Sequence, residues 1–146
     1  MRFAWILMLG VACRTAPTDL TELREQVRTD YPTVRQISTA ALTADVILVD
    51  VRTPAEYAVS HLPGARSGLT DLPPTSAIVV YCSVGYRSAQ SAQQLQAAGY
   101  THVANLDGGI FQWANEGRPL AGSPKVHPYN HHWARYLKPE LRAPLP

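Results

Sequence analysis

Two nearly unbroken apolar runs constrain the fold of this chain more than any other feature. "VILVDV" at 46–51 and "AIVVY" at 77–81 have the length of a strand. They lack the alternation of apolar and polar residues that is typical of a strand with one face in contact with water. Runs of this kind are typical of strands that are buried on both faces, as in parallel sheets covered by helices. We therefore predict an α/β fold with a central, mostly parallel sheet and helices on both faces.

Helical patterns alternate with these strands, as the α/β prediction requires. "TPAEYAVS" places Thr53 as N-cap, Pro54 at the first helical position and Glu56 three residues after the cap, which is a capping-box pattern. The other predicted elements are a helix in "TDLTELREQVRTDYP", an edge strand at "TVRQIS", a short helix at "TAALTAD", a helix from about Ser88 to Ala98, a third strand at "THVANL" and a last helix in "DGGIFQWANEG" capped by Asp107.

Length and charge narrow the function classes. A chain of 146 residues can bury one ordinary core and has no room for a second sizeable domain. The net charge is +2, and the 13 Lys and Arg residues are scattered singly. Because no basic stripe or patch is visible, we predict no nucleic-acid partner.

The amino terminus has the pattern of an export signal. Arg2 precedes ten uncharged, mostly apolar residues from Phe3 to Ala12, and Cys13 follows. This run is too short to span a bilayer, which takes about 20 residues, so we predict a signal peptide over 1–12. The approach to Cys13 also looks like a lipobox, whose cysteine is lipidated. We expect an exported protein of the bacterial periplasm or cell envelope, lipid-anchored through Cys13, with plain secretion as the alternative.

The carboxyl end differs in composition from the rest. From Pro119 onward, 28 residues hold six of the 12 prolines and three of the five histidines, and we predict an extended Pro/His-rich tail over 121–146. For "HPYNHHWARYL" we favour packing of Tyr129, Trp133 and Leu137 on the domain. Docking of a partner, or a metal held by histidines of this stretch, are the alternatives that the residues leave open.

A cysteine stands where the second apolar run ends. Ligands of an open parallel sheet bind beyond the carboxyl ends of its strands, and Cys82 occupies such an end. The loop Ser83–Arg87 separates it from the next predicted helix, with Gly85 supplying backbone freedom. Inward amides, a helix N-terminus and the Arg87 guanidinium would form an anion cradle that favours a thiolate. The alternative is a buried, inert Cys82 beside a solvated Arg87.

Together these motifs resemble the rhodanese (thiosulfate sulfurtransferase-like) family. "VILVDVRTPAEYAVSHLPGA" looks like the family's Asp-Val-Arg strand end, Glu-Tyr helix and His-Ile-Pro-Gly-Ala turn. "YCSVGYRS" resembles its Cys-x-x-Gly-x-Arg-Ser loop, and "LDGGIFQWANEGRPL" its Gly-Gly, Trp and Gly-x-Pro ending. The likeness implies a rhodanese-like, three-layer domain over 33–120, preceded by an N-terminal helical segment over 13–32.

The resemblance also implies a chemistry, that of a sulfurtransferase which needs no cofactor or metal. A sulfane sulfur would pass from a small anionic donor, such as thiosulfate or a persulfide, to a thiol or cyanide acceptor through a persulfide on Cys82. Uncharged Ser83 stands where thiosulfate-preferring members often carry a basic residue, which disfavours thiosulfate itself. The implied site residues are the catalytic Cys82, the substrate-binding Ser83, Val84, Gly85, Tyr86, Arg87 and Ser88, and the structural supports Asp50, Arg52 and Glu56.

Two other functions are compatible with such a domain. One is a rhodanese-like module that carries or senses sulfur, or has no turnover, and uses its carboxyl end to dock a partner. The other is a phosphatase that uses cysteine and arginine. Only four residues separate Cys82 from Arg87, and the loops of such phosphatases are longer, so this second alternative is disfavoured.

Overall fold

A five-stranded parallel sheet forms the centre of the molecule. The computed structural model describes residues 14–146, so the predicted signal peptide and Cys13 lie outside the described residues. The strands follow the order β1-β6-β5-β2-β4, and every neighbouring pair is parallel. They are β1 (Arg35–Ile37), β2 (Ile47–Asp50), β4 (Arg66–Ser67), β5 (Ile78–Tyr81) and β6 (Val103–Leu106), and a separate antiparallel pair joins β3 (Ser60–His61) to β7 (Ala121–Gly122).

Helices cover both faces of this sheet. They are α1 (Leu20–Asp30), α2 (Pro54–Val59), α3 (Tyr86–Ala97), α4 (Gly109–Asn115) and α5 (His131–Ala134), with 3-10 turns at Thr39–Ala41 and Pro139–Leu141. Because successive strand residues point to opposite faces, the sheet contributes to two apolar clusters. One packs Leu48, Val79 and Leu106 against Leu23 of α1 and Phe111 of α4. The other packs Val49, Val80 and Val103 against Ala92 and Leu95 of α3. The predicted α/β fold with a covered parallel sheet is confirmed.

The helix after β2 begins as its sequence predicts. The Thr53 hydroxyl accepts from the Glu56 amide at 3.3 Å, and the Glu56 carboxylate accepts from the Thr53 amide at 2.9 Å. This reciprocal capping box satisfies two donors that the first turn would otherwise leave free. It also fixes the Glu56 carboxylate at the amino end of α2, where it is buried.

Two predicted helix starts are wrong. Helix α3 begins at Tyr86 instead of Ser88, because Gly85 adopts a left-handed φ of +112° and turns the chain directly into the helix. Helix α4 is preceded by Gly108, also left-handed, so Asp107 does not cap it. The Asp107 carboxylate instead accepts from Arg24, at 2.9 Å from Nε, and from Arg28, and so ties α1 to the end of β6.

The extended tail predicted over 121–146 is also wrong. This C-terminal segment folds back on the domain and contains β7, α5 and the second 3-10 turn. Val126 and Leu137 are fully buried, and the Val126 amide donates to the carbonyl of Leu141 at 2.7 Å. The favoured packing of Leu137 and Trp133 on the core is confirmed. Five prolines limit regular structure in this segment, but apolar side chains between them bind it to the core.

Within residues 14–146, no helix combines the length and the apolar character that crossing a membrane would take.

Candidate active site

The loop after β5 holds a cysteine whose sulfur is surrounded by polar donors. Cys82 is only 1% exposed. Its Sγ accepts from the Gly85 amide at 3.1 Å and from the Ser88 hydroxyl at 3.3 Å, both in the turn that opens α3. Since helix N-termini favour negative charge, this is a place where a sulfur anion is stabilised. Although buried, the sulfur therefore does not have the surroundings of an inert core cysteine.

The loop is folded so that its carbonyls point away from the site. The carbonyls of Cys82 and Ser83 accept from the Ile110 and Phe111 amides, each at 3.0 Å, at the start of α4. Trans peptide groups place C=O and the next N–H on opposite sides, and the described chain has no cis peptide bond. The amides of Ser83 and Val84 therefore point away from α4. The Gly85 amide contacts Sγ, and the wider cradle of amides around the site stays a prediction.

A buried asparagine fixes a third carbonyl of the loop, that of Gly85. Asn105, at the end of β6, donates from Nδ2 to the Gly85 carbonyl at 3.0 Å and to the Gln36 side chain at 3.0 Å. By the same peptide geometry, the Tyr86 amide points away from Asn105. Asn105 was not predicted as a site residue, because nothing in the sequence around an asparagine in a strand indicates a hydrogen bond to a loop twenty positions away.

A glycine at the start of α4 allows this helix to approach the loop this closely. A Cβ at Gly109 would lie 2.4 Å from the Cys82 carbonyl oxygen and 2.7 Å from that of Ser83, and its φ is +58°. Neither a side chain nor an ordinary φ is compatible with that position. Gly109 is therefore a support of the site.

We expect Gly109→Ala to lower the free energy of unfolding by at least about 2 kcal/mol, since the new methyl group must displace two carbonyls. Gly117→Ala is the matched control, because Gly117 has a φ of +74° but open space around its Cβ position. It should cost about 1 kcal/mol. Urea unfolding of both variants measures the difference, and equal losses would show that the close approach is unimportant.

Arg87 lies in the first turn of α3 and is already paired. Its NH1 and NH2 groups donate to the two carboxylate oxygens of Glu56 at 2.9 and 2.8 Å, and NH2 also donates to the Ser83 hydroxyl at 2.9 Å. Burial works to raise the pKa of Glu56, but hydrogen bonds from Arg87 and Thr53 outweigh it and lower this pKa from 4.5 to about 2. The Arg87 guanidinium, which the sequence predicts to bind a donor anion, therefore also links the loop to α2.

The pKa of Arg87 responds to the same neighbours. Burial lowers it, yet the hydrogen bonds to Glu56 and the charges of Cys82 and Glu56 raise it above its ordinary value. Arg87 thus remains a cation beside Cys82. Since the Glu56 carboxylate balances that charge, the pair contributes little net charge to the site.

Asp50 and Arg52 form a separate buried network behind the loop. Asp50 accepts from Arg52 at 2.7 Å and from the Tyr81 hydroxyl at 2.7 Å, and Arg52 also donates to the Ser60 carbonyl. These contacts join the ends of β2 and β5 to β3. The network makes no hydrogen bond to Cys82 Sγ, in keeping with the supporting role implied for both residues.

Two further residues of the family-like motifs, Tyr86 and His61, have structural contacts. The Tyr86 hydroxyl donates to Asp30 of α1 at 2.8 Å, so this substrate-binding candidate also holds the N-terminal helix against the loop. His61 stacks on Tyr57 with ring centroids 3.8 Å apart. In the described part of the chain, no cluster of three or more potential metal-ligating side chains is present.

A small cavity opens above Cys82, and two of its walls come from the C-terminal segment. Its volume is about 130 Å³, and it is lined by Cys82, Ser83, Val84, Tyr86, Arg87, Tyr129 and Trp133. The Tyr129 ring lies over the Arg87 guanidinium at 4.6 Å. The sequence analysis expected Tyr129 and Trp133 to pack on the domain but missed their contact with the loop. Nothing in the local pattern indicates which surface they reach.

Comparisons with known proteins agree with this geometry. The model of the rhodanese-like domain matches residues 34–116, more than half of the chain. A sulfurtransferase of Allochromatium vinosum is 41% identical over 86 residues, which cover 53% of this chain and 80% of that relative.

Solved structures share the fold. A rhodanese-related protein from Thermoplasma volcanium is similar with a TM-score of 0.55 and 26% identity, covering 60% of this chain and 97% of that one. The polysulfide-sulfur transferase homodimer of Wolinella succinogenes gives a TM-score of 0.53 over 77% of this chain and 94% of its own. At 22% identity it supports the fold alone. The parallel sheet, the Cys82 loop and the match to the family model all lie within residues 34–116. The chain belongs to the rhodanese-like family.

Proposed function

We propose that the protein is a sulfurtransferase that carries a sulfane sulfur as a persulfide on Cys82. The observation that carries this proposal is the position of Sγ, which accepts from the Gly85 amide and the Ser88 hydroxyl at the amino end of α3. A persulfide made there would project its outer sulfur into the cavity above the loop. The name of the Allochromatium vinosum relative supports the same chemistry.

The reaction has two steps that balance without a redox partner. The Cys82 thiolate attacks the sulfane sulfur of a donor such as thiosulfate; the Cys82 S–S bond forms, the donor S–S bond breaks, and sulfite leaves with the electron pair. A thiolate or cyanide acceptor then attacks the outer sulfur, forming an acceptor persulfide or thiocyanate and returning the Cys82 thiolate. Loop amides stabilise the negative outer sulfur between the two steps.

The charge around the cavity favours a donor of low charge. Arg87 is the cation at its edge, and the Glu56 carboxylate balances that charge. Ser83 is uncharged, and its hydroxyl contacts Arg87 and Glu56. Backbone amides are therefore the main source of attraction for an anion here, and we propose that a small persulfide, which carries one negative charge, is a better donor than the dianion thiosulfate.

A turnover assay tests the proposal. The purified chain is mixed with excess thiosulfate, inorganic polysulfide or a small persulfide, and with cyanide. Thiocyanate formed above a protein-free blank, which corrects for the direct reaction of cyanide with the donor, is measured over time. We expect many equivalents of thiocyanate per protein molecule with at least one donor. Thiocyanate that stops at one equivalent, or none with every donor, would contradict catalysis.

The burial of Cys82 favours one alternative. At 1% exposure the thiol is reached only through the small cavity, as suits a module that stores or senses one sulfur. The turnover assay separates the two functions, because a storage module releases a single equivalent. A phosphatase fits less well, since the Arg87 fork that would hold a phosphoryl group is bidentate on Glu56.

We further propose that the protein is exported and anchored by a lipid on Cys13. The sequence "MRFAWILMLGVAC" supports this through its apolar run and its lipobox-like end. Metabolic labelling of bacteria that express the full chain with a radiolabelled fatty acid should label the wild type and leave Cys13→Ser unlabelled. Label that persists in Cys13→Ser would contradict lipidation at this residue, and Cys82→Ser serves as the control that keeps the label.

A further inference from the structure

The cavity above Cys82 is small for a binding site. Its volume of about 130 Å³ holds about four waters at roughly 30 Å³ each, whereas sites for drug-sized ligands measure about 300 to 1,000 Å³. The loop and the first turn of α3 form its floor and sides. Tyr129 and Trp133, both from the C-terminal segment, complete its wall.

The positions of both aromatic residues are fixed by contacts of their side chains or backbone. The Tyr129 ring lies on the Arg87 guanidinium, which Glu56 fixes from its edge. The Trp133 amide donates to the Asn130 side chain at 3.0 Å, and this N-cap starts α5. The Trp133 ring also packs at 5.6 Å from the ring of Tyr136. The wall of the cavity is therefore formed by two rings with defined neighbours, Arg87 for Tyr129 and Tyr136 for Trp133.

The segment that carries these rings is anchored at several points. The Tyr136 hydroxyl donates to the Pro17 carbonyl at 2.9 Å, and the Lys138 amide donates to the Asn115 side chain at 2.9 Å. Val126 and Leu137 are buried in the core. Displacing the whole segment would therefore require breaking core contacts, so its backbone holds the two rings at the cavity and the cavity size limits what reaches the thiol.

We propose that Tyr129 and Trp133 are specificity-determining residues, which restrict Cys82 to donors that are compact around the sulfane sulfur, such as inorganic sulfur anions. This inference rests on the proposed sulfurtransferase function. A bulky group attached next to the sulfane sulfur would meet the two rings before that sulfur comes within bonding distance of Sγ. Inorganic or methyl-sized donors fit the space that remains.

Two thiosulfonates with the same reacting group test the size limit. Methanethiosulfonate and toluenethiosulfonate both donate a sulfane sulfur to the Cys82 thiolate and release a sulfinate with the electron pair, and they differ only in a methyl or an aryl group. We expect Tyr129→Ala to raise the ratio of toluene- to methanethiosulfonate loading rates at least tenfold over the wild type. Tyr129→Phe keeps the ring and should keep the wild-type ratio.

A ratio in Tyr129→Ala within twofold of the wild type would overturn the inference. Tyr129 is 43% exposed, so its truncation should leave the fold intact, and urea unfolding checks this. Trp133→Ala is a second variant, and we expect a change of the ratio in the same direction.

Alkylation separates this inference from the proposed function. In a Cys13→Ser background, which leaves Cys82 as the single thiol of the chain, iodoacetamide and fluorescein-5-maleimide probe access without sulfur transfer. Tyr129→Ala should raise the maleimide-to-iodoacetamide rate ratio at least tenfold. If neither a thiosulfonate nor any other sulfane donor loads the wild type, the proposed function fails, and the alkylation ratio alone decides the size limit: a tenfold rise supports it and an unchanged ratio overturns it.

Discussion

Cys82→Ser is expected to reduce sulfur transfer by at least about a thousandfold. A serine hydroxyl is not ionised near neutral pH, and its oxygen cannot carry the sulfur–sulfur bond on which both steps depend. The measurement is the initial rate of thiocyanate formation with the best donor found for the wild type. A variant that keeps a tenth of the wild-type rate would show that another group carries the sulfur.

Ser88→Ala should have a smaller effect on the rate than Cys82→Ser. It keeps the nucleophile and removes the hydroxyl that donates to Sγ at 3.3 Å. Because a hydrogen bond to a charged group contributes about 1.5 to 3 kcal/mol, we expect a fall in rate of about tenfold or more. Rates equal to the wild type would mean that the hydroxyl does not support the reacting sulfur.

Glu56→Gln is expected to lower the free energy of unfolding by about 3 kcal/mol at pH 7, as measured by urea unfolding. The substitution leaves Arg87 without its balancing charge and weakens the capping box of α2. Glu25→Gln is the matched control, because the Glu25 side chain is 66% exposed and forms an ion pair with Arg28 on the surface of α1. We expect it to cost less than about 0.5 kcal/mol.

The effect of Glu56→Gln should depend on pH in a defined direction. The pKa of Glu56 is about 2 in the folded protein against an ordinary value of 4.5. Its contribution is therefore complete above pH 4.5 and is lost as the pH falls toward about 2. The difference in stability between wild type and Glu56→Gln should shrink steadily over this range, while other acidic groups cancel in the comparison. A difference that stays constant from pH 6 to pH 3 would show that the Glu56 charge does not stabilise the fold.

Much of the fold could be predicted from the sequence because its signals are local. The apolar runs at 46–51 and 77–81 identify buried strands, and Thr53 with Glu56 marks a helix start by adjacent residues alone. The starts of α3 and α4 were wrong because left-handed Gly85 and Gly108 replace the usual side-chain caps. A glycine in a loop motif is compatible with several turns, so the sequence does not specify which residue begins the helix.

The candidate site was predictable only in part, for a related reason. The position of Cys82 and its loop follows from the strand end and the motif, but two contacts join residues far apart in the chain. Glu56 reaches Arg87, and Tyr129 covers the same guanidinium. From the sequence alone, Glu56 is explained as part of a helix cap and Tyr129 as a packed aromatic residue. Only the packing of α2 and the C-terminal segment around the loop reveals their common partner.

The most direct test of the account is the intact mass of the full chain after exposure to a sulfane donor and removal of excess reagent. The account predicts a mass increase of one sulfur atom that peptide fragmentation assigns to Cys82 and that a thiol acceptor removes. If that cysteine reacts with iodoacetamide but gains no sulfur from thiosulfate, polysulfide or methanethiosulfonate, the loop does not stabilise a persulfide and the account is contradicted.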